Sequence, residues 1–258
     1  MSLITLTTDF GTRDGYVGEV KGVLATRAPD ATLLDIAHDV EPGDIRCGAW
    51  ILGRIWVRYP AGTVHLAVID PGVGGERMPI VARLSDRWYV GPDNGLLTHA
   101  IRSHPVAEAR RIEAATGEGA PSDTFHGRDL FAPAAAHLSG GGDPRAIGPE
   151  IDRSSCVVLP VPRAARRGDS FLGHVVHVDR FGNLITNLPV GWLPAEVEIR
   201  IAGVTLHGPA RSYDAVPRGE LLVSRGSGGT LEIAVRDGRA DRRLGVTLDA
   251  EVEAAPRA

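Results

Sequence analysis

The chain has 258 residues, of which 43% are hydrophobic and 23% charged, and its formal net charge is -4. These values are typical of a globular chain that buries one large core or two smaller ones, and they exclude a disordered or fibrous protein. Positive charge does not exceed negative charge, and no Lys/Arg cluster is interleaved with aromatic residues. We therefore expect no nucleic-acid partner.

Short runs of β-branched and aliphatic residues alternate with helix-like stretches in the first part of the chain. Such alternation predicts an α/β domain with a mostly parallel sheet flanked by helices. The predicted strands cover 3–8, 32–36, 63–69, 79–84 and 88–91, and the predicted helices cover 15–28, 42–59, 95–101 and 130–138. A loop dominated by glycine and small residues is predicted over 114–121.

A polar, proline-bearing connector over 157–169 is typical of a boundary between domains. We accordingly predict an N-terminal domain over 1–162 and a C-terminal domain over 170–258. Short alternating runs with turn residues between them predict that the second domain is a small antiparallel all-β barrel or sandwich. Its predicted strands cover 173–179, 197–201, 221–224, 231–235 and 245–252.

The two cysteines, Cys47 and Cys156, are far apart and form no Cys-x-x-Cys pair. This pattern argues against a disulfide scaffold and a thiolate zinc site, and it favours a reducing cytoplasm. The N-terminus has no basic region followed by a cleavage site, and no apolar run approaches the ~20 residues of a membrane span. We expect a cytoplasmic protein that is neither exported nor anchored to a membrane.

A glycine-rich turn at 70–77 carries Asp70 and Arg77 directly after a predicted buried strand. In open α/β sheets the carboxyl ends of the strands are where ligands bind. The pair is therefore a candidate reaction site, with a structural ion pair as the alternative. A phosphate cradle is disfavoured, because the turn has no Gly-Lys-Ser/Thr ending and carries an acid instead.

Two further side chains occupy predicted corners between elements. Asp9 follows the first strand and could hold a ribose diol, although Asp9 or Thr12 could equally cap the next helix. His126 precedes the helix at 130–138, and together with Asp70 and Arg77 it would complete an acid, base and cation set. A metal site is disfavoured, because the chain lacks a recognised ligand spacing such as HxH or HExxH.

The C-terminal domain carries two candidate binding segments. At 179–187, Phe181 offers a stacking face and Asn183 can both donate to and accept from a purine edge, whereas the alternative is a turn held by Asx-type hydrogen bonds. At 227–235, a Ser-Gly-Gly turn leads into a strand, which would let a ligand approach main-chain groups.

In order, these segments resemble the S-adenosyl-L-methionine hydroxide adenosyltransferase family, whose relatives include fluorinase and chlorinase enzymes. The resemblance runs over nearly the whole chain. The motifs that carry it are Thr-Thr-Asp-Phe-Gly at 7–11, Asp-Pro-Gly-Val-Gly at 70–74, Gly-Pro-Asp-Asn-Gly-Leu-Leu at 91–97, Thr-Phe-His-Gly-Arg-Asp at 124–129, Asp-Arg-Phe-Gly-Asn at 179–183 and Leu-Glu-Ile-Ala at 231–234.

The resemblance implies an α/β domain followed by a β-barrel domain, in a homotrimer whose substrate lies between one subunit's N-domain and a neighbour's C-domain. It implies no cofactor, because S-adenosyl-L-methionine is the substrate. The catalytic set falls on Asp70, Arg77 and His126. The substrate-binding positions fall on Asp9, Asp179, Phe181, Asn183, Ser227, Glu232 and the backbone near Val235.

Departures from the halide-using relatives bear on the nucleophile. A pocket tryptophan is replaced by Gly43 and another by Ile185, while a halide-contacting serine becomes Gly127. The Asp70 carboxylate would repel a desolvated halide but could accept the proton of water. The expected reaction is hydrolysis of S-adenosyl-L-methionine to adenosine and L-methionine. The alternatives are a non-catalytic adenosine-binding module and a metal-dependent nucleotide hydrolase.

Overall fold

The computed structural model describes residues 2–113 and 121–257 and divides into two compact units, Met1–Leu159 and Pro160–Ala258. Each unit has its own hydrophobic core. The loop predicted over 114–121 lies outside the described residues except for Pro121. Within the described ranges, every helix is too short or too polar to cross a lipid bilayer.

The first unit is a sheet with helices on both faces. Its strands are β1 (Leu3–Thr8), β2 (Thr32–Ala37), β3 (Val64–Val68), β4 (Pro79–Leu84), β5 (Arg87–Pro92) and β6 (Val106–Arg111). Its helices are α1 (Tyr16–Arg27), α2 (Ile45–Ile55), α3 (Thr98–Ser103) and α4 (Ala132–Ser139). The elements predicted from the sequence lie close to these, apart from β6, which was not predicted.

The prediction of a mostly parallel sheet is only partly correct, because the sheet is mixed. Its order is β2-β1-β3-β5-β4-β6. The first four strands in this order, β2, β1, β3 and β5, pair in parallel. Strand β4 pairs antiparallel with both β5 and β6. The physical reason is the two-residue connection Ser85-Asp86, in which both residues have positive φ, 45° and 61°. Two consecutive positive φ values give a tight hairpin turn, which joins antiparallel strands.

Alternation along the central strands separates two apolar cores. Ile4, Leu6 and Leu66 face a core that includes side chains of α1 and α4, whereas Ala67 and Ile69 belong to a core with side chains of α2 and α3. Successive side chains of a strand point to opposite faces, so both faces of the sheet are covered. This arrangement leaves the carboxyl ends of β1 and β3 as the edge from which loops can present polar side chains.

The second unit is an all-antiparallel, barrel-like sheet, as the sequence predicted. Its strands are β7 (Ala165–Arg167), β8 (Ser170–Val178), β9 (Leu184–Pro189), β10 (Val197–Ile201), β11 (Val204–Gly208), β12 (Leu221–Arg225), β13 (Thr230–Val235) and β14 (Glu251–Pro256). The order is β11-β10-β14-β8-β9-β13-β12, and β7 pairs with β8. An isolated bridge between Ala210 and Ser224 brings the two end strands towards closure.

The strand predicted over 245–252 is largely wrong. A short helix, α5 (Ala240–Leu244), ends at Gly245 in the left-handed conformation, and β14 begins only at Glu251. A left-handed glycine is a common helix terminator. The alternating pattern after Gly245 therefore belongs mostly to a turn.

His65 is a histidine of β3 with no exposed surface. Its ring centroid lies 4.7 Å from that of Trp56, and its Nδ1 lies 2.8 Å from the Thr5 hydroxyl. Burial disfavours the charged imidazolium and lowers the pKa of His65 to about 4. The folded protein therefore holds His65 neutral over a range in which an unfolded histidine takes up a proton.

We expect His65 to make the protein less stable as the pH falls. Because its folded pKa is depressed, the stability is complete above the unfolded pKa of about 6.5 and is lost as the pH falls towards 4. His65 alone should reduce the free energy of unfolding by about 1.4 kcal/mol between pH 7.5 and 5.5. Urea unfolding of the wild type and of His65→Gln at both pH values measures this difference.

The variant should lose less stability between the two pH values than the wild type, whatever its absolute stability. His207→Gln is the matched control, because His207 is exposed, and it should keep the pH dependence of the wild type. An unchanged pH dependence in His65→Gln would show that His65 is not the responsible group.

Candidate active site

Two carboxylates emerge side by side at the carboxyl edge of the first sheet. β1 and β3 are parallel neighbours, with Thr8 opposite Val68. Asp9 directly follows β1, and Asp70 lies two residues beyond the end of β3. Asn94 supports this edge, because its Nδ2 donates to the Ile69 carbonyl at 2.8 Å. The sequence placed both acids at this edge, but it gave no indication of the contact made by Asn94.

Asp70 and Arg77 form a buried ion pair. Arg77 Nε donates to both Asp70 carboxylate oxygens at 3.0 and 2.9 Å, and Nη2 lies 2.5 Å from Oδ2. The side chains are only 4% and 10% exposed, respectively. A charge pair at this depth depends on its mutual hydrogen bonds, because neither ion could be buried alone without a large desolvation cost.

His126 contacts the same guanidinium nitrogen, Nη2, that donates to Asp70 Oδ2. Arg77 Nη2 lies 2.6 Å from His126 Nδ1, and a guanidinium can only donate. Nδ1 must therefore be the acceptor, which places the proton of the neutral ring on Nε2. Burial and the Arg77 charge lower the pKa of His126 below its ordinary value, in agreement with a neutral imidazole. Arg77 thus joins the acid and the imidazole.

Close backbone packing brings the two loops of this cluster together. Gly74 has φ +74°, and a Cβ on it would overlap the Asp123 carbonyl oxygen. The glycine therefore allows the 70–77 turn to pack against the segment that carries His126. Below the cluster, the buried Phe131 ring lies 5.5 Å from the guanidinium carbon of Arg77, an arrangement typical of a cation–π contact. Phe131 was not predicted from the sequence.

Aromatic rings enclose Gly127, the residue after His126. A Cβ added to Gly127 would lie 3.1 Å from Phe10 Cζ and 3.4 Å from Phe125 Cε2. The Phe10 and Phe125 rings also pack edge to face, with centroids 5.7 Å apart. The space that a side chain at position 127 would need is therefore occupied by these two rings.

Asp9 lies in the same part of the first unit. Its Oδ2 accepts a hydrogen bond from the Gly43 amide at 2.8 Å. Helix α1 has Gly15 as its N-cap with no side-chain hydrogen bond, so the helix-capping alternative for Asp9 or Thr12 is wrong. Burial and the negative charge of Asp70 raise the pKa of Asp9, although the Gly43 amide opposes this change. Within the described residues, no three or more His, Cys, Asp or Glu side chains are grouped as metal ligands.

In the second unit, Asp179 organises the turn between β8 and β9. Its Oδ1 accepts from the amides of Phe181 and Asn183, both at 2.9 Å, and its Oδ2 accepts from Asn183 Nδ2 at 3.0 Å. These are the Asx-type hydrogen bonds of the turn that was the alternative to a purine-binding role for this segment. They leave the Phe181 ring 72% exposed and Asn183 buried, so an aromatic face and an anchored amide share one turn.

The remaining predicted binding residues lie on or beside β13. Glu232 is 8% exposed, and its Oε1 accepts a hydrogen bond from the Tyr213 hydroxyl. Val235 ends the strand, and Ser227 lies in the turn that joins β12 to β13. Tyr213 was not predicted from the sequence, because it lies 19 positions before Glu232 and no local pattern links them.

The fold and the site define a two-domain protein with an α/β unit that carries a carboxylate–guanidinium–imidazole cluster and a second, barrel-like β unit. The chain belongs to the SAM hydroxide adenosyltransferase family. The N-terminal domain of that family matches residues 4–148, and its C-terminal domain matches residues 173–253. The family resemblance read from the sequence motifs is confirmed.

Several named proteins are similar to the chain over most of its length. An (R)-S-adenosyl-L-methionine hydrolase of Thermus thermophilus is 43% identical over 92% of this chain and 93% of its own. A protein of the same name from Salinispora tropica is 40% identical, over 95% and 94%. A fluorinase of Actinopolyspora mzabensis is 27% identical, over 72% and 71%.

A solved structure supports the same relationship. A conserved protein from Thermotoga maritima superposes with a TM-score of 0.90 and 37% identity, over 98% of this chain and all of the other.

We expect the His126 imidazole to titrate below its ordinary pKa of about 6.5, because burial and Arg77 disfavour the cation. We expect the neutral ring to carry its proton on Nε2, because Nδ1 accepts from Arg77. Nitrogen NMR of ¹⁵N-histidine-labelled protein, with His126→Gln for the resonance assignment, measures both properties. Arg77→Met should raise the pKa of His126, since it removes the neighbouring positive charge.

Arg83→Met is the matched control, because it removes an equal charge from an exposed ion pair with Asp86. It should leave the His126 titration unchanged. A wild-type His126 that titrates above 6.5, or that is protonated on Nδ1 at neutral pH, would contradict the geometry described above.

Proposed function

We propose that the protein hydrolyses (R)-S-adenosyl-L-methionine to adenosine and L-methionine. Water attacks C5′ in line with the C5′–S bond, the electron pair of that bond passes to sulfur, and methionine leaves as a neutral thioether. The sulfonium charge disappears and one proton is released per turnover. No general acid is needed, because the leaving group requires no proton.

The observation that carries this proposal is the 43% identity, over nearly the whole of both chains, to a protein named (R)-S-adenosyl-L-methionine hydrolase. Further relatives at 39–41% identity carry the same name. Fluorinases are also related, but at 27% identity over less of the chain. We therefore propose hydrolysis, the reaction of the more similar relatives, and not halogenation.

The geometry of the first unit supports distinct roles for its three residues. Arg77 is a permanent donor, and the Nδ1 acceptor of His126 is already occupied by it. Asp70 is then the member of the cluster with lone pairs for the proton of water, while the His126 Nε2–H can donate to the water oxygen. General-base and orienting groups of this kind commonly contribute about 10²–10⁴ in rate.

The charge of Asp70 supports water as the nucleophile. The carboxylate is 4% exposed, and a buried negative charge repels a desolvated halide much more strongly than it would in bulk water. Water is neutral and can donate a hydrogen bond to the same carboxylate. Asp70 thus favours hydrolysis over halogenation.

The substrate contacts follow the chemistry of each side chain. Asp9 would accept from the ribose hydroxyls, and Asp179 and Ser227 would hold the methionine portion. Phe181, Asn183, Glu232 and the main chain at Val235 would surround the adenosine portion. The Phe181 face and the buried Asn183 amide support this division, because a purine needs a stacking surface and an edge-on hydrogen bond.

We expect purified protein to convert S-adenosyl-L-methionine to adenosine, as measured by chromatography. In H₂¹⁸O the label should appear on the 5′ oxygen of adenosine and not in methionine, because water attacks C5′. Asp70→Ala and the isosteric Asp70→Asn should each reduce the rate at least about 100-fold. Asp152→Asn, which alters an exposed capping acid of the same unit, should keep wild-type activity.

Absence of adenosine at saturating substrate, or full activity in both Asp70 variants, would overturn the proposal. Loss of activity with EDTA, restored by a divalent metal, would favour the metal-dependent hydrolase. Tight binding of adenosine without turnover would favour the binding module. Unlabelled adenosine formed in H₂¹⁸O would exclude attack by water at C5′.

We further propose a homotrimer in which each site takes residues from two subunits. Light scattering should give about 82 kDa for three copies of the 27.3 kDa chain. Asp70→Ala and Asp179→Ala, each inactive alone, should recover about a quarter of wild-type activity after equal mixing and subunit exchange, because random assembly pairs intact partners in that proportion. No recovery despite demonstrated exchange would contradict shared sites.

A further inference from the structure

Glu232 is a buried carboxylate whose structural contact is with a neutral group. The residue is 8% exposed, and its Oε1 accepts from the Tyr213 hydroxyl. A phenol supplies a hydrogen bond but no positive charge, so this contact orients the carboxylate without neutralising it. A buried carboxylate arranged in this way is well suited to accept further hydrogen bonds from a bound molecule.

The other oxygen of Glu232 lies next to a residue without a side chain. A Cβ added to Gly226 would lie 3.1 Å from Glu232 Oε2. The same Cβ would lie 3.0 Å from the Thr230 carbonyl oxygen, so any side chain at this position would crowd Oε2. The phenol holds one carboxylate oxygen, and glycine at position 226 keeps a side chain away from the other.

Tyr213 is held over Glu232 by the residue that follows β13. Arg236 Nη1 donates to the carbonyls of Asp214 and Val216 at 3.2 and 2.7 Å. These bonds join the segment around the short 3-10 turn Tyr213–Ala215 to the end of β13. The residue that anchors the segment of the phenol therefore directly follows the strand that carries Glu232.

The register of the sheet places Glu232 among the residues proposed to surround adenosine. Glu232 is paired with Ile185 of β9, and Asn183 lies two residues before Ile185. Directly paired residues of antiparallel strands point to the same face, as do alternate residues within one strand. Glu232 therefore shares a face with Ile185, while Ile233 and Leu184 belong to the hydrophobic core. Asn183 lies just before β9, in the turn that Asp179 holds, so it is close to this face along the chain.

We propose that Tyr213 is a positioning residue that acts through Glu232, and that this pair recognises the nucleoside half of the substrate. The inference rests on the proposed function and deepens it. With Oε1 held by the phenol, Glu232 Oε2 accepts from an O–H or N–H of the nucleoside. The half-exposed Tyr213 ring, 47% accessible, supplies an apolar surface beside this contact.

Adenosine binding tests the inference separately from turnover. Calorimetry with adenosine should show about tenfold weaker binding for Tyr213→Phe, which removes only the hydroxyl that orients a charged acceptor. Glu232→Gln should weaken binding at least as much. The double variant should bind no more weakly than Glu232→Gln, because the phenol acts only through the carboxylate.

Steady-state kinetics give a second measurement that a loss of fold would not reproduce. For S-adenosyl-L-methionine, Tyr213→Phe should raise KM about tenfold and leave kcat within about twofold, since the group binds the nucleoside and does not touch C5′. Arg236→Ala should reproduce this pattern by releasing the segment that carries Tyr213. Tyr59→Phe, which removes a hydroxyl in the first unit, is the matched control and should change neither constant.

Three outcomes would overturn the inference: unchanged adenosine binding in Tyr213→Phe, additive effects of the two substitutions, or a loss for S-adenosyl-L-methionine without a loss for adenosine. If the wild type hydrolyses S-adenosyl-L-methionine but Tyr213→Phe binds adenosine as tightly as the wild type, this inference alone is overturned. If adenosine binding depends on Tyr213 and Glu232 as expected but the wild type forms no adenosine from S-adenosyl-L-methionine, the proposed reaction alone is overturned.

Discussion

The buried guanidinium of Arg77 is the group on which the site of the first unit depends. It neutralises Asp70, donates to His126 Nδ1 and lies over the ring of Phe131. Removing one partner of such a buried pair commonly costs about 3–5 kcal/mol, because it leaves an uncompensated charge. The same contact selects the tautomer of His126. One residue therefore sets both the charge balance and the direction in which the imidazole can donate.

Short-range patterns were sufficient to predict most of the strands and helices. Runs such as 63–69 are apolar throughout, and buried central strands have that composition. The sheet direction was harder to predict, because it depends on two positive φ values at Ser85 and Asp86, and neither residue is a glycine. The pattern after Gly245 was misread as a strand for a similar reason, since Asp249, which is not a glycine, interrupts it with a φ of 66°.

The site was predictable to the extent that its residues follow strands or occupy motifs. Asp70, Arg77 and His126 were named from the sequence, and the structure brings them into contact. The supporting contacts were not predictable, because they join distant segments. Phe131 contacts Arg77, which is far from it in the sequence. Tyr213, in the connection between β11 and β12, contacts Glu232 of β13. Sequence patterns can thus indicate the reactive groups, but not the packing that orients them.

The two rings around Gly127 couple three positions of the chain. A Cβ there requires the Phe10 ring to move by a few tenths of an ångström and lies in contact with Phe125, so its effect depends on which residues occupy positions 10 and 125. Substitutions at neighbouring positions in contact are commonly non-additive. Divergence at this corner should therefore be epistatic: the order in which the three positions change determines which intermediate sequences keep a packed site.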